Sequence, residues 1–178
     1  MSQKRNPNRR VKYFTPDDVL GPLVRELGPI GLDPATDATN PTDAKVFFTE
    51  ADNGLVLPWD GYGLVYCNPP YEEVWYPKIG NEAAKGIEMV ALVKGYPTNC
   101  YFQDELLPSA SAVCFWRNRL TFKGEKQGAG FGSALLYYGP RSELFRAAFS
   151  DAGWTVPGGG AGTRRYDSRS SGNPGRVK

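Results

Sequence analysis

Short apolar runs alternate with polar stretches that carry Gly and Pro along the chain. Residues 30–32, 46–49, 63–67 and 87–94 read as strands, each closed by a polar or turn-forming residue. The last of these, IEMVALVK, has a continuous apolar stretch, the pattern of an interior strand covered on both faces. Residues 112–122 and 132–138 read as two further strands. They are joined by the polar, Gly-rich connection 123–131 and so suit an antiparallel hairpin. Helices are predicted between them. The first starts at Thr15-Pro16-Asp17-Asp18, with Thr15 as N-cap and Pro16 in the first turn, and stops at Gly28-Pro29. Others are expected over 72–85, kinked at Pro77, over 99–107, and over 141–151 with Gly153 as its stop. Helices alternating with strands predict an α/β fold, a mostly parallel sheet with an antiparallel edge hairpin and helices on both faces.

In such sheets the ligand lies beyond the carboxyl ends of the strands. Asp33, Glu50 and Asn68 each follow a predicted strand directly, so all three are expected at one cleft.

Composition narrows the chemistry. The chain has 178 residues and no histidine. Histidine general bases, Ser-His-Asp and Cys-His machinery, and histidine-containing metal sites are excluded. The three cysteines, Cys67, Cys100 and Cys114, form no CxxC pair, which argues against zinc and against a disulfide framework. No apolar run is long enough for a membrane span, and no secretory signal precedes the first strand, so an intracellular protein without metal is expected.

Charge is unevenly placed. Residues 1–12 carry Lys4, Arg5, Arg9, Arg10 and Lys12 without an acid, a charge of +5. Residues 157–178 carry five cations against Asp167, a charge of +4. With a total of +2, residues 13–156 hold −7. The expected organisation is a disordered basic arm (1–12), a folded domain (13–156) and a disordered Gly/Ser/Arg tail (157–178). Basic arms suit a polyanionic partner, or else are simply solvated ends.

The strand at 63–67 runs straight into Asn68-Pro69-Pro70-Tyr71. Two prolines remove two backbone N–H donors and fix φ twice, while leaving carbonyls free to accept hydrogen bonds. Asn68 adds a side-chain carbonyl, and Tyr71 an aromatic face on which a base can stack. This set fits the amino group of adenine, whose lone pair is delocalised into the ring. Two acceptors drawing on its two N–H bonds free that lone pair to attack a methylsulfonium carbon in line. A base inside a duplex must first be flipped out.

At these residues the sequence resembles the phage-type DNA N6-adenine methyltransferases, the phage Dam family, over about residues 13–153. Besides Asn68–Tyr71, the matching features are Phe14-Thr15-Pro16, Leu32-Asp33-Pro34, Thr49-Glu50, Asp52-Asn53-Gly54-Leu55, Pro58-Trp59-Asp60-Gly61, Trp75 and Arg119-Leu120-Thr121-Phe122. The resemblance implies a class I, Rossmann-like fold with a seven-stranded sheet whose last strand is antiparallel. It implies S-adenosylmethionine as cofactor and N6 of adenine in DNA as methyl acceptor. It places Thr15 and Pro16 along the methionine part of the cofactor, Asp33 and Pro34 beside its amino-acid group, Glu50 at the ribose hydroxyls and Asp52 towards the adenine end. Asn68, Pro69, Pro70 and Tyr71 are the expected catalytic set. Arg9, Arg10, Lys12, Lys94, Arg117 and Arg119 are candidates for nucleic-acid contact, and Trp59, Trp75 and Trp116 are expected in the core. A phage or prophage protein acting in the bacterial cytoplasm as a monomer or weak dimer is implied.

The sequence departs from general adenine methyltransferases in two ways. The turn after the first strand, Asp33–Ala38, has no glycine, and 35 residues separate Asp33 from Asn68. No separate target-recognition domain fits in the length. The same chemistry on RNA or another planar amine, and a non-catalytic nucleic-acid binder on the same fold, are the alternatives.

Overall fold

A computed structural model describes residues 13–158. The basic arm, including Arg9, Arg10 and Lys12, and residues 159–178 lie outside the described residues. In chain order the elements are α1 (Asp17–Leu27), β1 (Leu32–Asp33), β2 (Val46–Phe47), β3 (Val65–Cys67), α2 (Trp75–Ala84) and β4 (Met89–Lys94). A π-helical turn (Phe102–Leu106), β5 (Ala112–Trp116), β6 (Ser133–Tyr138), α3 (Ser142–Phe149) and β7 (Gly153–Pro157) complete the domain.

The strands form one seven-stranded sheet in the order β2-β1-β3-β4-β6-β5-β7. The ladders β2/β1, β1/β3 and β3/β4 are parallel, and β4/β6, β6/β5 and β5/β7 are antiparallel. Strands β1 to β5 therefore share one direction, and β6 and β7 oppose it. This is the class I methyltransferase-like α/β arrangement expected, with the antiparallel pair on the predicted side of the sheet. One strand more than the residue-level reading gave lies beyond that pair. Gly153, expected to stop the last helix, opens β7, and β7 rather than the hairpin forms the edge. Its final residue, Pro157, and Gly158, whose N–H donates to the Ser111 carbonyl at 2.9 Å, belong to the fold and not to the tail.

Period-two alternation builds the core on both sides. In β4, Val90 and Leu92 face one cluster, while Met89, Ala91 and Val93 face the other. In β6, Leu135 and Tyr137 oppose Ala134, Leu136 and Tyr138 in the same way. Helices α1 and α3 cover the first face through Val19, Leu23, Leu27, Phe145 and Phe149. Helix α2 and the π-helical turn cover the second through Ile79, Ala83, Phe102 and Leu106. Burying each large aliphatic side chain here contributes roughly 1.5–3 kcal/mol. Trp59 and Trp75 are buried and stacked at 6.5 Å, as core residues, and Trp116 is half-buried against the first cluster.

Several boundaries differ from the sequence reading. Helix α1 begins at Asp17, Pro16 holds the cap position, and no side chain caps it. The Thr15 hydroxyl is taken up elsewhere. Pro77 falls in the first turn of α2, where its missing N–H costs no helical bond. The strand predicted to reach residue 122 ends at Trp116, because Asn118 turns with φ 61°. No helix among the described residues is long and apolar enough to cross a membrane.

Gly31 sets the spacing of β1 against the approach to β3. A Cβ at this position would lie 1.7 Å from the Tyr62 carbonyl oxygen. Gly31→Ala is expected to destabilise the domain by about 3 kcal/mol, read by urea unfolding. An unchanged midpoint would show that the 54–64 segment gives way at no cost.

Candidate active site

The carboxyl ends of β2, β1, β3 and β4 stand side by side, because these four strands are parallel and adjacent. Asp33 ends β1, Glu50 follows β2 by three residues, Asn68 follows β3 directly, and Lys94 ends β4. The register pairs Cys67 with Ala91, which brings Lys94 to the level of the Asn68–Tyr71 segment. The strands that Asp33, Glu50 and Asn68 end or follow are thus parallel neighbours with their carboxyl ends on one side of the sheet.

Asn68 is held by the segment that precedes α1. Its Nδ2 donates to the Tyr13 carbonyl at 2.7 Å and to Thr15 Oγ1 at 3.1 Å. A backbone carbonyl can only accept, so the amide nitrogen must face Tyr13. Both N–H bonds are thereby used, and Oδ1 is turned towards the open side. There its protein contact is a long hydrogen bond from the Tyr71 hydroxyl at 3.4 Å. Thr15 is itself fixed, 2.8 Å from the fully buried Tyr66 hydroxyl.

The two prolines differ. The Pro70 carbonyl accepts the Glu72 N–H at 2.6 Å, which turns the chain towards α2. Among the described residues no backbone donor reaches the Pro69 carbonyl. Asn68 Oδ1 and the Pro69 carbonyl thus both retain acceptor capacity.

Tyr71 is not a free platform. Its ring packs against Tyr13 at 5.5 Å, Phe131 at 4.7 Å and Phe122 at 6.4 Å. Burial pushes its phenol pKa well up, so it stays neutral. Lys94 Nζ lies 5.4 Å from the centroids of both Tyr71 and Phe131. Tyr71 and Lys94 also line a cavity of about 140 Å³, with Tyr76, Tyr96, Asn99 and Phe102 on its other walls.

The glycine-free turn after β1 is closed by Asp33 itself. Its Oδ1 accepts the Ala35 N–H at 3.1 Å and its Oδ2 accepts the Thr42 hydroxyl at 2.8 Å. Burial raises the Asp33 pKa to about 6, against the lowering effect of these two bonds. Pro34 is buried behind it, and Gly54 packs so closely that a Cβ would meet the Pro34 carbonyl oxygen at 2.0 Å. Glu50 is exposed. Asp52 is exposed too, but its Oδ2 accepts the Thr49 N–H at 2.8 Å and hydroxyl at 2.7 Å, which closes a turn and lowers its pKa. Arg117 and Arg119 are exposed beyond β5, at the same end of the sheet.

Tyr13, Tyr66, Thr42, Phe122 and Phe131 take part in this site without having been expected from the sequence. No local pattern marks them. Among the described residues no group of three or more His, Cys, Asp or Glu side chains is placed to hold a metal.

Residues 2–136 match the model of a family described as DNA N-6-adenine-methyltransferase (Dam). No curated protein matches the chain.

The buried Asp33 carboxylate has a consequence for stability. Its folded pKa of about 6 exceeds the unfolded value of 3.8, so the native state binds the extra proton between them. The contribution of this group to stability therefore falls as pH rises from about 4 to about 6, and stays low above that. Asp33→Asn removes the titration. Between about pH 4.5 and pH 7.5, chemical denaturation should show the stability difference moving in favour of the variant by about 2 kcal/mol. A difference independent of pH would contradict this environment for Asp33.

Proposed function

The chain belongs to the DNA N-6-adenine-methyltransferase (Dam) family, and from that premise we propose that S-adenosylmethionine is its methyl donor and that Asn68 and Pro69 activate the adenine amine. The activity is methylation of adenine N6 in DNA. The donor set at the carboxyl edge suits the cofactor chemically. A carboxylate following β2, Glu50, matches a vicinal ribose diol. The buried acid at the end of β1, Asp33, with Pro34, borders the place for the amino-acid group. Thr15 and Pro16 border it from the other side, and Asp52 shapes the turn at the adenine end. When bound, S-adenosylmethionine supplies an electrophilic methyl carbon on a sulfonium.

One observation carries the reading of the chemistry: both amide hydrogens of Asn68 are committed to Tyr13 and Thr15. Oδ1 is then a fixed acceptor that needs no reorganisation when the amine arrives. Asn68 Oδ1 takes one N6–H and the Pro69 carbonyl the other. The nitrogen loses conjugation with the ring, and its lone pair is freed. No imidazole is needed, in a chain that has none. Pro70 fixes the turn, and Tyr71 bounds the cavity that takes the extrahelical base. Lys94, Arg117 and Arg119 contact DNA phosphates on the same face, with Arg9, Arg10 and Lys12 extending that contact from the segment before Tyr13.

Incubation with isotopically labelled S-adenosylmethionine and unmethylated DNA, followed by digestion and mass spectrometry, is expected to give labelled N6-methyladenine. Parallel RNA should stay unlabelled. Folded protein that labels no DNA would defeat the reading. Asn68→Ala should lower single-turnover transfer by about 100-fold or more with cofactor affinity unchanged; near-normal turnover would remove Asn68 from the chemistry. Lys94→Met should reduce the slope of log binding constant against log salt by about 0.9, the release expected for one phosphate contact. An unaltered slope would leave Lys94 with its aromatic contacts alone.

A further inference from the structure

We propose that the 123–131 loop reads the base pairs beside the target adenine, with Glu125 and Gln127 as its specificity-determining side chains. The proposal rests on the reading that DNA lies across the carboxyl end of the sheet.

The loop is anchored in the aromatic cluster around Tyr71. Phe122 and Phe131, at its two ends, are buried and pack on Tyr13 at 4.8 and 5.7 Å and on Tyr71 at 6.4 and 4.7 Å. Backbone bonds brace it. The Glu125 N–H donates to the Phe122 carbonyl at 3.0 Å, and the Ala129 N–H to the Leu120 carbonyl at 2.9 Å. The Lys123 N–H donates to the Phe14 carbonyl at 2.8 Å, in the same segment whose Tyr13 carbonyl holds Asn68. Gly124 turns with φ 85°. Gly128 lies so close to Arg119 that a Cβ would meet the Arg119 Cβ at 2.5 Å. The tip between these glycines is therefore placed relative to the activating acceptors by short, direct connections.

That tip, Glu125-Lys126-Gln127, is exposed. Together with Tyr13, Phe122 and Phe131 it lines an open groove of about 540 Å³, and those three rings pack on Tyr71, which lines the smaller cavity. The smaller space suits one extrahelical base; the larger has an aromatic and glycine-rich lining, with Glu125, Lys126 and Gln127 as the polar side chains able to reach base edges and phosphate. Gln pairs in bidentate fashion with adenine, and Glu accepts from cytosine N4.

Charge favours nucleic acid at this rim. The domain is acidic overall, and most described cations are spent on carboxylates. Among the described residues Lys45, Lys94, Arg117, Arg119 and Lys126 enter no ion pair. All but Lys45 stand at the carboxyl end of the sheet, around this loop. Lys126 is placed for phosphate, and its neighbours on either side for base edges.

The test is methylation of a DNA library with randomised flanks around adenine, followed by sequencing of the methylated products. The wild-type protein should select a defined motif. Gln127→Ala and Glu125→Ala should each lose about 10- to 100-fold discrimination at one flanking base pair, while the rate on the preferred site stays within severalfold. Gln127→Glu should move the preference at its position from adenine towards cytosine. Lys126→Ala should keep the motif and lower the salt slope by about 0.9. Unchanged motifs in the Glu125 and Gln127 variants, or a wild-type protein with no motif, would overturn the proposal. So would loss of transfer on every sequence from variants with a normal thermal melt. A wild-type protein that methylates no DNA would instead strike the activity on which the proposal rests.

Discussion

The site depends on one hydrogen-bonded chain: Tyr66 to Thr15, Thr15 to Asn68, and Asn68 to the Tyr13 carbonyl. It joins the segment before α1 to the end of β3, more than 50 residues away in sequence. Its anchor, Tyr66, is fully buried, and burial holds its phenol far above the ordinary pKa. A buried hydroxyl without a partner would cost about 1–3 kcal/mol, so the chain is strongly preferred over its alternatives. The orientation of the Asn68 amide follows from it, with Nδ2 committed and Oδ1 left as the acceptor.

The region between β1 and β3 is held by local hydrogen bonds. Several of its turns are closed by side chains, beside the positive-φ glycines Gly61 and Gly63. Asp33 holds Ala35 and Thr42, Asn40 holds Ala44, and Asp52 holds Thr49. Trp59 donates its indole N–H to the Gly54 carbonyl at 2.9 Å and is buried completely. These local bonds consume the very carboxylates that sequence alone offers to a ligand. Asp33 and Asp52 close turns, and of the three acids Asp33 is buried while Glu50 and Asp52 are exposed.

The division of charge follows the same economy. An acidic domain repels a polyanion over most of its surface. Cations left without carboxylate partners at one rim are the exception, and on the proposed reading they favour that face for DNA. The rim coincides with the carboxyl ends of β4 and β5, where Tyr71 and the two cavities lie.

The sequence by itself determined the α/β alternation, the interior position of β4, and the placement of Asp33, Glu50 and Asn68 after parallel strands. It did so because period-two burial, turn residues and the paired prolines are local signals. It also singled out Asn68-Pro69-Pro70-Tyr71 as the candidate site, since those residues are adjacent in the chain. Tertiary structure alone decided β7. Gly153-Trp154-Thr155-Val156-Pro157 becomes a strand because the edge of β5 has unpaired backbone groups to offer, which no local pattern announces. It likewise decided that Thr15 bonds Asn68 instead of capping α1, that Asp33 is buried in its own turn, and that Phe122 and Phe131 enclose Tyr71. Each of these is a contact between segments distant in sequence, and its partner exists only once the sheet has brought the strand ends together.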